Sequence, residues 1–366
     1  GKLVSESGAA QKIATVLTRF FGKKHLQWAM MVTGFIVGIP LFYNVGFVLL
    51  IPLLFSVVSQ AKVPLLYTGL PMLAALSVTH GFLPPHPSPT ALVAQFNANL
   101  GLTLLYGLVI AIPAILIAGP LFAQTTRHIQ AAPLHTFQPR TVPEHLLPGT
   151  ANSFLSSLLP VILLALSTLL PLFEVKNEAV NKLFLFLGDP VIVMLLSLLI
   201  ATYTLGITTR IPLRKIMEQY GEAVKDVALI LLIVAGAGAL KQVFTDSGVS
   251  NEIASLFSQM PVHPLVLGWL IAAIIRVCVG SATVAGLTTA GIIAPIMAST
   301  NVDPNLMVLS IGAGSLMFSH VNDAGFWLCK EYFNLSIKDT IRTWSVMETI
   351  VAITGLAGVM LLNLII

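Results

Sequence analysis

Asp323 lies in Ser319-His-Val-Asn-Asp-Ala-Gly325, a polar interruption of a long apolar run. At membrane depth a carboxylate is costly unless it is paired, hydrated or protonated, so Asp323 is a default candidate for carrying a proton. His80 and His320 fall 240 residues apart in two such interruptions. An imidazole titrates near neutral pH when little perturbed, which adds both to the proton-coupling candidates. Taken singly, either histidine is more often a hydrogen-bonded structural residue, and their pairing with the breaks reverses that preference.

The earlier interruption, Thr79-His-Gly-Phe-Leu-Pro-Pro-His-Pro-Ser-Pro-Thr90, holds four prolines that donate no hydrogen bond, so residues 80–90 are expected to be non-helical. Backbone of that kind is tolerated in a bilayer only around a protein-lined or watery cavity. A half-helix starting near Ser88 or Thr90, with His86 beside it, aims its first N–H groups at that cavity and suits a carboxylate. Ser281 and Thr283, between Gly280 and Gly286, offer the same from elsewhere in the chain. Asn44 and Asn322 both donate and accept, which fits the hydroxyls of a polyol, although an Asn at a turn is also a good local cap. The expected substrate-binding set is therefore Asn44, His80, His86, Ser88, Thr90, Ser281, Thr283, Ser319 and Asn322, with Asp323, His80 and His320 for the proton. Arg276 either neutralises a substrate anion, pairs with an acidic residue or plays a structural part. Gly236 and Gly238 read as close helix packing.

The elements that hold these residues must live in lipid. Of 366 residues, 56% are hydrophobic and 9% charged, against about 25% charged in an ordinary soluble domain. Apolar runs at 101–122, 154–172, 183–204 and 344–366 are long enough to cross about 30 Å of hydrocarbon as helices. Short alternating strands are absent, which argues against a β-barrel and leaves an all-α integral membrane fold. The net charge of +4 comes from Lys and Arg in loops, which are topology signals and no nucleic-acid surface. Cys278 and Cys329 read as buried thiols with no disulfide, and no signal peptide is recognisable.

Basic residues gather at 12–24, Lys62, 127–140, 210–225 and 330–342, whereas between Lys241 and Lys330 only Arg276 occurs. With the rich loops in the cytoplasm, 26–60, broken at Gly38-Ile-Pro-Leu-Phe-Tyr-Asn-Val-Gly46, reads as a hairpin entering from that side. The stretch 265–299, broken at Gly280-Ser-Ala-Thr-Val-Ala-Gly286, reads as a hairpin entering from the other. Each is followed by a broken helix and a span. Two re-entrant hairpins and two broken transmembrane helices, repeated with opposite orientation, are the inverted-repeat plan of secondary transporters. The expected organisation is a cytoplasmic amphipathic lead-in at 1–25, a first repeat at 26–122, a cytoplasmic linker at 123–152 and a second repeat at 153–366. About two spans are expected to be missing before the first hairpin.

At the same residues the sequence resembles the gluconate permease family of the wider ion-transporter superfamily. The resemblance rests on Phe42-Tyr-Asn-Val-Gly-Phe-Val-Leu-Leu50, Ala75-Leu-Ser-Val-Thr-His-Gly-Phe-Leu-Pro-Pro-His-Pro87, Phe244-Thr-Asp-Ser-Gly-Val249, Gly280-Ser-Ala-Thr-Val-Ala285 and Ser319-His-Val-Asn-Asp-Ala-Gly-Phe-Trp327, and it extends over the whole chain. It implies import of gluconate or a related sugar acid with protons across a bacterial inner membrane, by a homodimer needing no cofactor or metal. Members of that family that most resemble this chain usually carry Glu at the position of Asn44, and many have Pro at that of Ala324 and Gly at that of Ser88. Sodium coupling is a close variant of this reading, and an intramembrane metal-dependent enzyme using His80, His86, His320 and Asp323 is a distant one.

Overall fold

Prolines and glycines decide where the helices of this chain stop. The computed structural model describes residues 2–132, 143–169, 182–183, 186–187, 189–248, 252, 262–298 and 300–366. His135 and Arg140 of the linker, residues 170–172, 184, 185 and 188 of the apolar runs, and Val249 lie outside the described residues. Among the described residues every regular element is helical. In chain order these are α1 (Lys2–Glu6), α2 (Ala9–Phe21), α3 (Leu26–Gly38), α4 (Tyr43–Ala61), α5 (Leu65–Phe82), α6 (Pro87–Gln95) and α7 (Leu100–Thr125). After them come α8 (Thr150–Leu169), α9 (Pro190–Ile207), α10 (Leu213–Asp246), α11 (Pro264–Val279), α12 (Ala282–Ala298), α13 (Pro304–Gly314), α14 (Ala324–Tyr332) and α15 (Ile337–Asn363).

The interruptions are tighter than the sequence suggests. Leu83, before Pro84, is extended at φ −99° and ψ 122°, as the residue preceding a proline tends to be. Pro87 and Pro89, however, occupy the first turn of α6, where a missing N–H breaks no intrahelical bond. Only residues 83–86 are therefore non-helical, rather than 80–90. His80 belongs to the last turn of α5, and Ser88 and Thr90 to the first turn of α6. Likewise α4 resumes at Tyr43, which puts Asn44 in a helical first turn, and only Gly280 and Ser281 separate α11 from α12. The break between α13 and α14, residues 315–323, is the long one.

Two central helices carry the core. All of α13 after Pro304 is buried, and so is every residue of α5 except Tyr67 and His80. α3 lies along α5 so closely that a Cβ on Gly34 would stand 2.5 Å from the Met72 carbonyl oxygen. α13 packs against α5, α6, α7, α11 and α15, so the two halves of the chain share one interior. Asn305, at the start of α13, pins that interface. Its Oδ1 accepts from Asn99 N at 2.9 Å and from Thr103 Oγ1 at 2.8 Å across the chain midpoint.

The amphipathic lead-in packs inward, with Ala9, Ala10, Ile13 and Ala14 of α2 buried against the bundle. The outer helices expose Val109, Ile112, Leu199, Leu232 and Leu361, an apolar surface that suits lipid. Five runs, 65–95, 100–125, 150–168, 190–207 and 337–363, are long and apolar enough to cross a membrane. Cys329 is buried, but Cys278, on the outer side of α11, is exposed, contrary to the expectation of two buried thiols.

Candidate substrate site

The interruptions meet around a cavity of about 640 Å³, within the range of about 300–1,000 Å³ usual for small-molecule sites. Three helix beginnings line it: Phe42–Val45 at the start of α4, Ser281–Thr283 at the start of α12, and Asn322–Gly325 at the start of α14. Each presents backbone N–H groups and the positive end of a helix dipole. The remaining wall is Lys2 of α1, Ser77 and His80 of α5, Arg276, Val279 and Gly280 at the end of α11, Leu316, and Trp344 and Glu348 of α15.

Arg276 is the buried cation of the site. It is 3% exposed, and its Nη2 donates to Asp323 Oδ2 at 2.5 Å. Its Nε and Nη1 have no partner. Asp323 is held from three sides: by Arg276, by the Ser319 hydroxyl donating to Oδ2, and by Gly325 N donating to Oδ1 at 3.0 Å as the cap of α14. Ser319 is itself fixed by Trp344, whose Nε1 donates to its hydroxyl at 2.7 Å. Of the eleven buried side-chain polar atoms without a partner among the described residues, five belong to this cavity's walls. They are Tyr43 OH, His80 Nδ1, Arg276 Nε and Nη1, and Glu348 Oε1. Since native structures rarely leave buried polar groups unpaired, such a concentration marks a place where a polar ligand supplies the partners.

The structure sorts the expected residues. Asn44, His80, Ser281, Thr283, Asn322 and Asp323 line the cavity together. Ser319 stands behind Asp323 and positions it, at 1% exposure. His86 faces a second cavity of about 330 Å³, and its Nε2 donates to the Gly38 carbonyl at 2.7 Å. Ser88 turns toward α12, its hydroxyl 3.2 Å from where a Cβ on Gly286 would be. Thr90 lines neither cavity, and its hydroxyl is buried without a partner. His320 is not on the cavity wall either. Its Nε2 donates to Val277 O at 2.9 Å and, with Asn322 Nδ2 at 2.8 Å, satisfies an end carbonyl of α11. The matched spacing of the two histidines fails in space because the second break is longer: His80 is helical, whereas His320 falls in irregular backbone.

Sequence reasoning missed Tyr43, Ser77, Trp344 and Glu348. The first three are ordinary residues for a buried helix and gave no signal. Glu348 did give one, as an acid inside the apolar run at 344–366.

The family described as GntP family permease matches residues 1–365. The chain belongs to that family. It is 48% identical over 367 residues to the high-affinity gluconate transporter of Escherichia coli K12, an alignment covering 100% of this chain and 84% of that protein. It is 48% identical to the Gnt-II system L-idonate transporter of the same organism, over 99% of this chain and 83% of that one. The gluconate permease of Bacillus subtilis is 44% identical, over 100% and 84%. Among solved structures, the crystal structure of the Alcanivorax borkumensis YdaH transporter superposes with a TM-score of 0.66 at 16% identity, covering 99% of this chain and 83% of that one. At that identity the likeness concerns the fold, which is that of a transporter. GntP permeases are transport proteins rather than enzymes, and this chain is a multi-pass membrane protein.

Proposed function

We propose that this permease imports gluconate or a closely related sugar acid with a proton across a bacterial inner membrane. The single observation that carries the reading is Arg276, a buried guanidinium that lines the cavity with two nitrogens unpartnered, beside three helix beginnings. The sugar-acid carboxylate takes those nitrogens. Its hydroxyls meet Asn44, Ser281, Thr283 and Asn322, with His80 at the side.

Charge counting supports the proton. The walls hold two carboxylates, Asp323 and Glu348, against one guanidinium, while the other cation, Lys2, is ion-paired with Glu222 at 3.4 Å. A bound anion adds a third negative charge. A like charge about 6 Å away costs about 3 kcal/mol at an effective dielectric of about 20, so the anion enters most readily with a cation that neutralises one carboxylate.

The order of helices supports two re-entrant hairpins and an inverted repeat. α3 to α7 and α11 to α15 follow the same plan of hairpin, broken helix and span, offset by about 240 residues. α3 and α11, at 13 and 16 residues, are about 20 and 24 Å long, short of the hydrocarbon thickness of about 30 Å. The basic residues flanking the first hairpin and absent around the second support opposite entry. Residues 26–122 and 153–366 are then the two repeats, joined by 123–152, and a relative movement of hairpins and scaffold exposes the cavity alternately.

Uptake of labelled gluconate into proteoliposomes tests this. Accumulation that follows an imposed inward pH gradient, and persists when sodium is replaced by choline, is the expected result. Accumulation that needs sodium and ignores pH would replace the proton by sodium, and no uptake of any sugar acid would overturn the substrate reading.

A further inference from the structure

The geometry points to Glu348 as the group that carries the coupled proton. The inference rests on the proton-symport reading above and names the atom on which that proton travels.

Two carboxylates line the cavity, and their surroundings differ. Asp323 receives the Arg276 guanidinium, the Ser319 hydroxyl and a backbone N–H, all of which favour a charged carboxylate. Protonating it would discard its interaction with Arg276 and leave the buried guanidinium uncompensated. Glu348 has no cation in contact. It is 1% exposed, lies beside Ser77, and keeps Oε1 without a partner among the described residues. A buried carboxylate so poorly solvated is expensive, and taking up a proton removes the charge.

The groups around Glu348 reinforce this division. From α5 it meets Ser77, and His80 of the same helix lines the cavity beside it. Tyr43 on α4, Cys329 on α14 and Asp323 lie within electrostatic reach of it. Arg276 on α11 also acts on it at a distance, but that guanidinium is already in contact with Asp323. α13 carries no titratable side chain, and Tyr106, the one on α7, faces Asp303 instead. Of the two carboxylates on the wall, Glu348 is the one without a cation in contact among the described residues.

The cycle then balances. On the side of entry a water-borne proton bonds to a carboxylate oxygen of Glu348, which becomes neutral. The sugar-acid anion joins Arg276, so anion and proton cross together without net charge. On the other side the anion leaves, the proton returns to water, and the Glu348 carboxylate re-forms.

The test compares reconstituted wild-type protein with Glu348→Gln and Glu348→Asp, using labelled gluconate. For one proton per anion, an inward gradient of about one pH unit supports about tenfold accumulation in the wild type. Glu348→Gln is expected to lose that accumulation yet keep gluconate–gluconate exchange, because the amide mimics the neutral acid. Its exchange is also expected to be flat with pH where wild-type exchange declines toward alkaline pH, and Glu348→Asp is expected to restore part of the accumulation. If the wild type itself does not respond to the gradient, the proton-symport reading falls. If the wild type responds and Glu348→Gln accumulates equally well, the assignment to Glu348 falls while symport stands. Loss of both accumulation and exchange, in a variant that elutes as a single species and still binds gluconate, also overturns it, because a pure proton carrier is dispensable for exchange.

Discussion

Replacing Arg276 by glutamine removes the charge that the site is built around, and two losses can be separated. The Arg276 and Asp323 side chains are 3% and 17% exposed. Removing one partner of a buried pair costs about 3–5 kcal/mol. Asp323 retains some access to water, so the lower end, about 3 kcal/mol, is the better figure for stability. Ligand binding loses more directly. Nε and Nη1 are both unpartnered, and two hydrogen bonds from a charged donor are worth about 3–6 kcal/mol, or at least about a hundredfold in affinity. The double variant Arg276→Gln with Asp323→Asn resolves the two effects, because it removes the orphaned carboxylate as well. Thermal unfolding in detergent should show the single variant destabilised and the double variant largely recovered. Gluconate binding, followed by calorimetry or by ligand-induced stabilisation, should be lost in both. A double variant that binds gluconate within a few-fold of the wild type would refute the role of Arg276 as the anion receptor.

Gly280 has φ +81°, and a Cβ there would run into the Asn322 backbone carbonyl. Gly280→Ala should therefore cost at least about 1–2 kcal/mol and depress both thermal stability and transport, and unchanged values would contradict the close docking of the two interruptions. Asn305→Ala unties Thr103 and Asn99 far from the cavity. Unfolding should occur about 1–3 kcal/mol sooner with no change in gluconate KM, and a raised KM would argue that this contact reaches the site. Asn44→Glu places a third acid on the cavity wall, at the start of α4. Gluconate binding should then weaken more steeply than in the wild type as pH rises above about 4, where a glutamate carboxyl gives up its proton, and an unaltered profile would separate Asn44 from the anion.

The membrane fold and the places where its helices break were legible in the sequence because composition and proline chemistry are local. Pro40, Pro84 and Gly280 mark real interruptions, and six expected side chains reach one cavity. The extent of each interruption was not legible. Counting every proline between 84 and 89 as a break ignores that the first turn of a helix accepts proline freely, and this displaced Ser88 and Thr90 from their expected setting. Similarly, the spacing that matches His80 to His320 takes no account of the longer second break. Arg276 stayed open among three roles because only tertiary structure brings Asp323, 47 residues later, against it.

Glu348 escaped notice for a different reason, one that bears on how a repeated fold acquires chemistry. The search for paired features in the two halves favours polar residues that recur at the 240-residue offset. At that offset Arg276, Asp323 and Glu348 correspond to Ile36, Leu83 and Leu108, all aliphatic. The two acids and the buried guanidinium of the wall therefore come from α11, the start of α14 and α15, while the first half contributes Tyr43, Asn44, Ser77 and His80, none of them an acid, together with Lys2, which is ion-paired with Glu222. On the proposed repeat, repetition accounts for the scaffold and for the convergence of helix beginnings. In the proposed symport the asymmetry accounts for coupling: an anion receptor and a titrating acid lie on one wall, so that the proton offsets the charge that the sugar acid brings. A member of this family with Glu in place of Asn44 would carry an acid on the opposite wall too, so the steeper pH dependence expected of Asn44→Glu measures directly how far coupling depends on where that acid sits.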